Sequence, residues 1–255
     1  MVYILGGNGF VGSAIVRYCN SNGIAYKVVD RANYDDLKKI PCKIFINANG
    51  NSKKFLAKEQ PLLEFDASVR SVRASLADFT FEEYVHLSSC DVYPDCSSPS
   101  STLEDMDLDI TKQSPYGFHK YLAELCVQHV AKHWLIIRMG GFVGPGMKKN
   151  PIFDILNDQP LWLDPASKLQ YMHTDDFARI LFSVIDKGTH NQAINICGQG
   201  TVSLQEVIQS SGKTGASKTG SPVVHYEVST ARLNSMLAIP DSRTTVLEFI
   251  QTNRN

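Results

Sequence analysis

Four apolar residues, Val2-Tyr3-Ile4-Leu5, run straight into Gly6-Gly7-Asn8-Gly9-Phe10-Val11-Gly12, and a helical pattern follows to Tyr18. A short unbroken apolar run suits a strand buried on both faces, the habit of parallel sheets. Gly6-x-x-Gly9-x-x-Gly12 then asks for a tight turn, a backbone open to close approach, and a helix packed hard on its strand. The free N–H groups and positive dipole end of such a helix suit a phosphate, and Phe10 and Val11 share that first turn. Asp30 stands 18 residues beyond Gly12, at the end of a second strand over Ala25 to Val29, where a carboxylate accepts hydrogen bonds from ribose hydroxyls. Together they imply a bound dinucleotide. Asp30 repels a 2′-phosphate and so favours NAD, while Arg31 beside it could accept one, which keeps NADP as the alternative.

The pattern then alternates. Lys43 to Ile46 is a third strand and ends in Asn47-Ala48-Asn49-Gly50; only twelve residues, 31 to 42, separate it from Asp30, so one crossover is trimmed. Residues 61–78 read as a helix, Tyr84 to Leu87 as a fourth strand opening into Ser88-Ser89-Cys90-Asp91-Val92-Tyr93, and 94–113 as a polar loop. Ser114-Pro115 starts a helix, with the serine as cap and proline at the first helical position; it is expected to run to His133. Trp134 to Arg138 and Ala193 to Ile196 complete the strands. Such alternation specifies an α/β fold, a doubly wound parallel sheet with helices on both faces. The glycine- and proline-rich stretch 140–146 marks an edge: residues 1–145 form the sheet domain, with part of 174–198 returning to it, and 146–255 a small mixed α/β substrate-binding region.

A formal net charge of -1 removes the basic excess that a nucleic-acid or membrane-surface protein needs. Six scattered cysteines make no Cys-x-x-Cys pair, and nothing has the spacing of a metal site, so no metal is expected. The chain enters a strand almost at Met1 and has no apolar run near ~20 residues, so the expectation is a cytoplasmic protein without a membrane segment.

Tyr116-Gly117-Phe118-His119-Lys120 follows Ser89 by 27 residues. On a helix, positions i and i+4 share one face, so a phenol and an ammonium meet there. A phenol titrates near pH ~10, and a neighbouring cation favours the phenolate. Tyr116 can then exchange a proton with a carbinol oxygen that the Ser89 hydroxyl holds. The spacing alone is common on surface helices; the glycine turn and the upstream serine at a strand end give it weight. His119 is expected to point off this face into solvent.

In order along the chain, the glycine turn, Asp30, Asn47-Ala48, Ser88 to Tyr93, Ser114-Pro115-Tyr116-Gly117-x-x-Lys120, Arg138 with Gly144-Pro145-Gly146, His173 to Asp176 and Asn195 to Gly198 resemble the extended short-chain dehydrogenases/reductases, the NAD-dependent epimerase/dehydratase group. The resemblance implies a Rossmann-type domain that binds a nicotinamide dinucleotide through the glycine turn, Asp30, Arg31, Asn47, Ala48, Asn49, Tyr116 and Lys120. It implies Tyr116 as general acid/base, Lys120 as the group that lowers its pKa and binds the nicotinamide ribose, and Ser89 as the anchor of the substrate oxygen. Gly141 and Leu169 stand where sugar-nucleotide members carry diphosphate ligands; Lys148 and Lys149 are candidate replacements. Asp91, where related dehydratases carry a glutamate, is a further candidate substrate contact. The activity expected is a sugar-nucleotide epimerase or ketoreductase. The alternatives are a reductase of a small non-nucleotide ketone and, from another class, a nicotinamide-sensing regulator. In the family the helices over 61–78 and 115–133 pair with their copies, which makes a homodimer the expected assembly.

Overall fold

The computed structural model describes residues 1–253. They fall into two compact units, the first made of Met1–Pro94, Glu104–Met139 and Ala178–Ile194, the second of Asp95–Leu103, Gly140–Phe177 and the chain from Asn195 onward. Elements follow in the order β1 (Val2–Leu5), α1 (Phe10–Ser21), β2 (Tyr26–Val29), α2 (Tyr34–Leu37), β3 (Cys42–Asn47), α3 (Leu56–Glu59), α4 (Pro61–Phe65), α5 (Ser71–Asp78), β4 (Phe81–Ser89), α6 (Pro115–Val130) and β5 (Trp134–Met139). Then come β6 (Gly141–Val143), α7 (Pro151–Leu156), β7 (Lys168–Leu169), β8 (Tyr171–His173), α8 (Thr174–Asp186), β9 (Gln192–Ile196), β10 (Val202–Ser203), α9 (Leu204–Ser211), α10 (Ala231–Met236) and α11 (Ser242–Thr252).

The main sheet has the order β2-β1-β3-β4-β5-β9. β1 lies parallel to both β2 and β3, with Leu5 opposite Val29 on one side and Asn47 on the other. The winding direction reverses at β1, and ligands of such sheets bind beyond the strand C-termini at that reversal. Residues 31–42 hold only the one-turn α2, so the sheet has two strands on that side, the trimmed crossover expected. Registers bring Asn47 opposite His86 and Ser89 opposite Met139, which aligns the C-terminal ends of β3, β4 and β5. Alternate sheet residues supply the core: Tyr3, Phe45, Tyr84 and Ile136 are wholly buried with Val127 and Ala123 of α6.

Two helices depart from expectation. The stretch 61–78 is interrupted by a π-helical turn, Asp66–Arg70, between α4 and α5. A π turn adds one residue to the helical circuit and re-aims what precedes it, a device common near functional sites. α6 stops at Val130 because Ala131 turns to an extended conformation, its N–H still bonded to the Val127 carbonyl at 2.9 Å.

The second unit carries two small sheets, β6 with β8 in parallel and β7 with β10 antiparallel. Ile152, Ile155, Tyr171, Leu204 and Val246 form its core. The buried Asn195 amide donates to the carbonyls of Thr102 and Ser229 at 2.8 and 3.0 Å, an anchor for two loops. His173 Nδ1 accepts the N–H of Asp175 at 3.2 Å and anchors the start of α8.

Candidate active site

The glycine turn is built for close approach. Gly6 has φ +82°, which a side chain rarely adopts, and the Gly9 N–H closes the turn on the Gly6 carbonyl at 2.9 Å. A Cβ on Gly12 would lie 2.2 Å from the Gly6 oxygen, so α1 packs against the turn only without one. The first turn of α1 carries no acidic residue and no side-chain cap, which leaves its N–H groups and dipole for an anion. Phe10 and Val11 begin the helix. Asp30 follows β2, half-buried, one carboxylate oxygen accepting the Ala32 N–H at 2.9 Å. Arg31 is exposed beside it. These residues fit a dinucleotide, with phosphates at α1 and the adenosine ribose at Asp30. Asp30→Ala should therefore weaken NAD and improve NADP relative to it, as read by calorimetric titration; a wild type that already prefers NADP by a wide margin would hand the choice to Arg31.

Asn47 is turned inward: its amide donates to Tyr84 Oη at 2.7 Å and Ser75 Oγ at 3.4 Å. Its Oδ1 accepts the Asn49 N–H at 3.0 Å, which curls Ala48 and Asn49 over the strand end, beside Gly6. Among these three, Asn47 thus offers a ligand its backbone rather than its amide.

Ser89 ends β4 and caps the short turn after it, accepting the Asp91 N–H at 3.2 Å and donating to Asp91 Oδ2 at 3.0 Å. The other face of that carboxylate holds the Lys54 ammonium, 2.7 Å from Oδ2 and 2.8 Å from Oδ1. The Tyr116 hydroxyl donates to the Asn51 carbonyl at 3.1 Å. A strap from Asn51 to Lys54 therefore engages both the Tyr116 and Ser89 hydroxyls, directly at Tyr116 and through Asp91 at Ser89.

Tyr116 and Lys120 lie one turn apart near the start of α6, where Ser114 Oγ caps the Gly117 N–H at 3.0 Å. Lys120 Nζ stands 5.3 Å from the Tyr116 ring centre. It also packs on the strap, where a Cβ added to Gly50 would lie 2.9 Å from it. Burial pulls the Lys120 ammonium below its ordinary 10.5, against the carboxylates of Glu64 and Asp91. On β4, buried His86 is driven down to about 3 by burial and by the Lys120 charge, so it stays neutral. The Tyr116 phenol departs from expectation. Burial first, then Asp91 and Glu64, raise it well above 10.0, outweighing a hydrogen bond from Ser89 that lowers it. Desolvation of the phenolate beside two carboxylates keeps the proton on Tyr116 and makes it a donor in this state.

His119 is also corrected: it is buried, and its Nδ1 is hydrogen-bonded to Glu64, itself fully buried on α4. The histidine inside Tyr-x-x-His-Lys and the acid in the apolar stripe of 61–78 were the only signals. Behind the site, Arg138 of β5 grips Glu124 of α6 at 2.8 Å, and Ser88 Oγ donates to the same carboxylate at 2.5 Å. Cys90 is buried with its thiol on the Arg138 carbonyl at 3.3 Å. In the second unit, Lys148 and Lys149 lie exposed on the loop between β6 and α7. Gly141 is crowded there: a Cβ would meet the Gln170 carbonyl at 2.7 Å and the Tyr171 ring at 2.9 Å, so this backbone has no room for a side chain.

The family model described as NAD dependent epimerase/dehydratase matches residues 2–197. Among solved structures, MoeE5 in complex with UDP-glucose and NAD is similar at a TM-score of 0.81 and 18% identity, over 100% of this chain and 99% of that one. A dTDP-4-dehydrorhamnose reductase from Bacillus anthracis str. Ames, in complex with NADP, gives 0.80 and 16% over 99% of each chain. A UDP-galactose 4-epimerase gives 0.77 and 19% over 99% of this chain and 97% of its own. No curated protein matches the sequence. Identities this low establish a common fold, whereas the family match extends over residues 2–197, well over half of the chain. On that match the chain belongs to the NAD-dependent epimerase/dehydratase family and is an NAD(P)-dependent enzyme.

Proposed function

We propose that this enzyme moves a hydride and a proton at a carbinol or ketone carbon of a nucleotide-activated sugar, as an epimerase or ketoreductase, with Ser89, Tyr116 and Lys120 as its working residues. The observation that carries the reading is the meeting of a Ser89 hydroxyl, a buried Tyr116 phenol and a buried Lys120 ammonium at the C-terminal end of β4. When bound, the dinucleotide supplies the hydride acceptor or donor. Ser89 holds the substrate oxygen, and Tyr116, kept protonated by burial, gives that oxygen its proton. Lys120 holds the nicotinamide ribose and the charge balance behind the phenol. Asp91 orients Ser89. Solved relatives with UDP-glucose and with UDP-glucuronic acid support a nucleotide-sugar substrate.

A small-ketone reductase is the second reading, favoured by the crowded Gly141 and by Leu169, which leave two diphosphate ligands out. A nicotinamide-sensing regulator would have no use for the buried Tyr116–Lys120 pair. Thermal-shift measurements with NAD(H) or NADP(H) and a set of nucleotide sugars against simple ketones separate these, because a bound ligand raises Tm by mass action. A rise with nucleotide sugars supports the first reading; a rise with simple ketones alone replaces it.

The same reading takes the enzyme as a cytoplasmic homodimer. Phe65, Val69, Leu122, Leu125 and Val130 line one apolar groove along the π turn and α6, and Leu62 beside it is 81% exposed. Static light scattering should give about twice 28.3 kDa at micromolar concentration; the monomer mass would remove the dimer.

A further inference from the structure

Glu64 is a carboxylate with no route to water: its side chain is 0% exposed. Taking an ion out of water costs several kcal/mol unless partners compensate. Its two oxygens have partners of their own, Ser68 Oγ in the π turn and His119 Nδ1 on α6. The Phe65 ring meets the His119 ring edge-on at 5.5 Å and closes the contact from the α4 side. His119 in turn sits immediately before Lys120, three residues after Tyr116. Glu64 and Ser68, four residues apart, share one buried face of this helical stretch, which turns Glu64 toward α6.

We infer that Glu64 is a positioning residue for the proposed reaction: through its buried bond to His119 it fixes the turn of α6 that carries Tyr116 and Lys120, and it is the inner counter-charge of Lys120. The inference rests on the proposed Tyr116–Lys120 chemistry but is read without turnover. The groups that feel Glu64 are His119, Lys120 and Tyr116, all from α6. From the other elements packed on α4, Lys58 and Glu59 of α3 are exposed, and Asp66 and Arg70 of the π turn pair with each other at the surface. Asp91 is the second carboxylate acting on the pair, from the substrate side. Two carboxylates therefore act on the Lys120 charge: Asp91, which is engaged by Lys54, and Glu64, which solvent does not reach.

The sign follows. Glu64 favours the charged ammonium, so Glu64→Gln, which keeps the shape and can still hydrogen-bond, lowers the Lys120 midpoint. The experiment is NMR titration of ¹³Cε-labelled lysines in the whole protein, with the Lys120 signal assigned by Lys120→Arg. The expected result is a Lys120 midpoint lower by about one pH unit in Glu64→Gln. Glu64→Asp, which keeps the charge, should hold the midpoint near that of the wild type even where Tm falls. An unchanged midpoint in Glu64→Gln, or an equal drop in both variants, overturns the inference and leaves Glu64 a packing residue. The titration needs no substrate, so a shifted midpoint stands even if Tyr116 proves dispensable for turnover, which would defeat the proposed function instead.

Discussion

Tyr116→Phe should cut turnover by roughly 10²-fold or more while leaving dinucleotide affinity almost unchanged. The ring is 7% exposed and fits the same space as phenylalanine, so the fold loses little. What is lost is one O–H, the group that donates to the Asn51 carbonyl. The raised phenol keeps its proton until a substrate oxygen arrives to take it. Stopped-flow measurement of the chemical step, beside calorimetric NAD(H) binding, separates this from a binding defect. An unchanged rate in the phenylalanine variant would remove Tyr116 from the chemistry.

Arg138→Met should be the most destabilising change at the site. The guanidinium is the main partner of a carboxylate, Glu124, that is 0% exposed, and it also donates to Tyr93 Oη at 2.9 Å. Removing one member of a buried pair costs about 3–5 kcal/mol, because the other charge is left without compensation. For a chain of this size that is a Tm loss of roughly 10 °C. Activity should fall with it, since Glu124 lies on α6 and Ser88 and Arg138 on the adjoining β4 and β5, so the cluster sets the helix of Tyr116 against the strand of Ser89. Pairing the change with Glu124→Leu should recover much of the loss, as apolar replacement of a whole buried pair often does. A Tm within 2 °C of the wild type for Arg138→Met alone would show that the pair holds nothing.

The sheet was legible because its signals are local and repeated. Val2 to Leu5 can only be a doubly buried strand once Gly6, Gly9 and Gly12 follow it, and the short link from Asp30 to Cys42 already removes a crossover. Ser89, Tyr116 and Lys120 were legible for the same reason, as ends of elements whose positions the alternation dictates. Glu64 and His119 were not, because a sequence shows a charge but not its burial; His119 was expected in solvent. The raised phenol was hidden likewise: Lys120 is visible four residues on, whereas the carboxylates opposing it come from α4 and from the turn after β4. The Asn51 to Lys54 strap has no periodicity to read, and its contacts arise only when β3 and β4 lie side by side.

Transfer of deuterium from the reduced, 4-²H-labelled dinucleotide (NAD²H or NADP²H) to a 4-keto nucleotide hexose, followed by mass spectrometry of the sugar, tests the central claim most directly. The account predicts that the wild type places one deuteron on the sugar carbon and that Tyr116→Phe does so at least about a hundredfold more slowly. Equal labelling by both proteins, or labelling of simple ketones but of no nucleotide sugar, would contradict it.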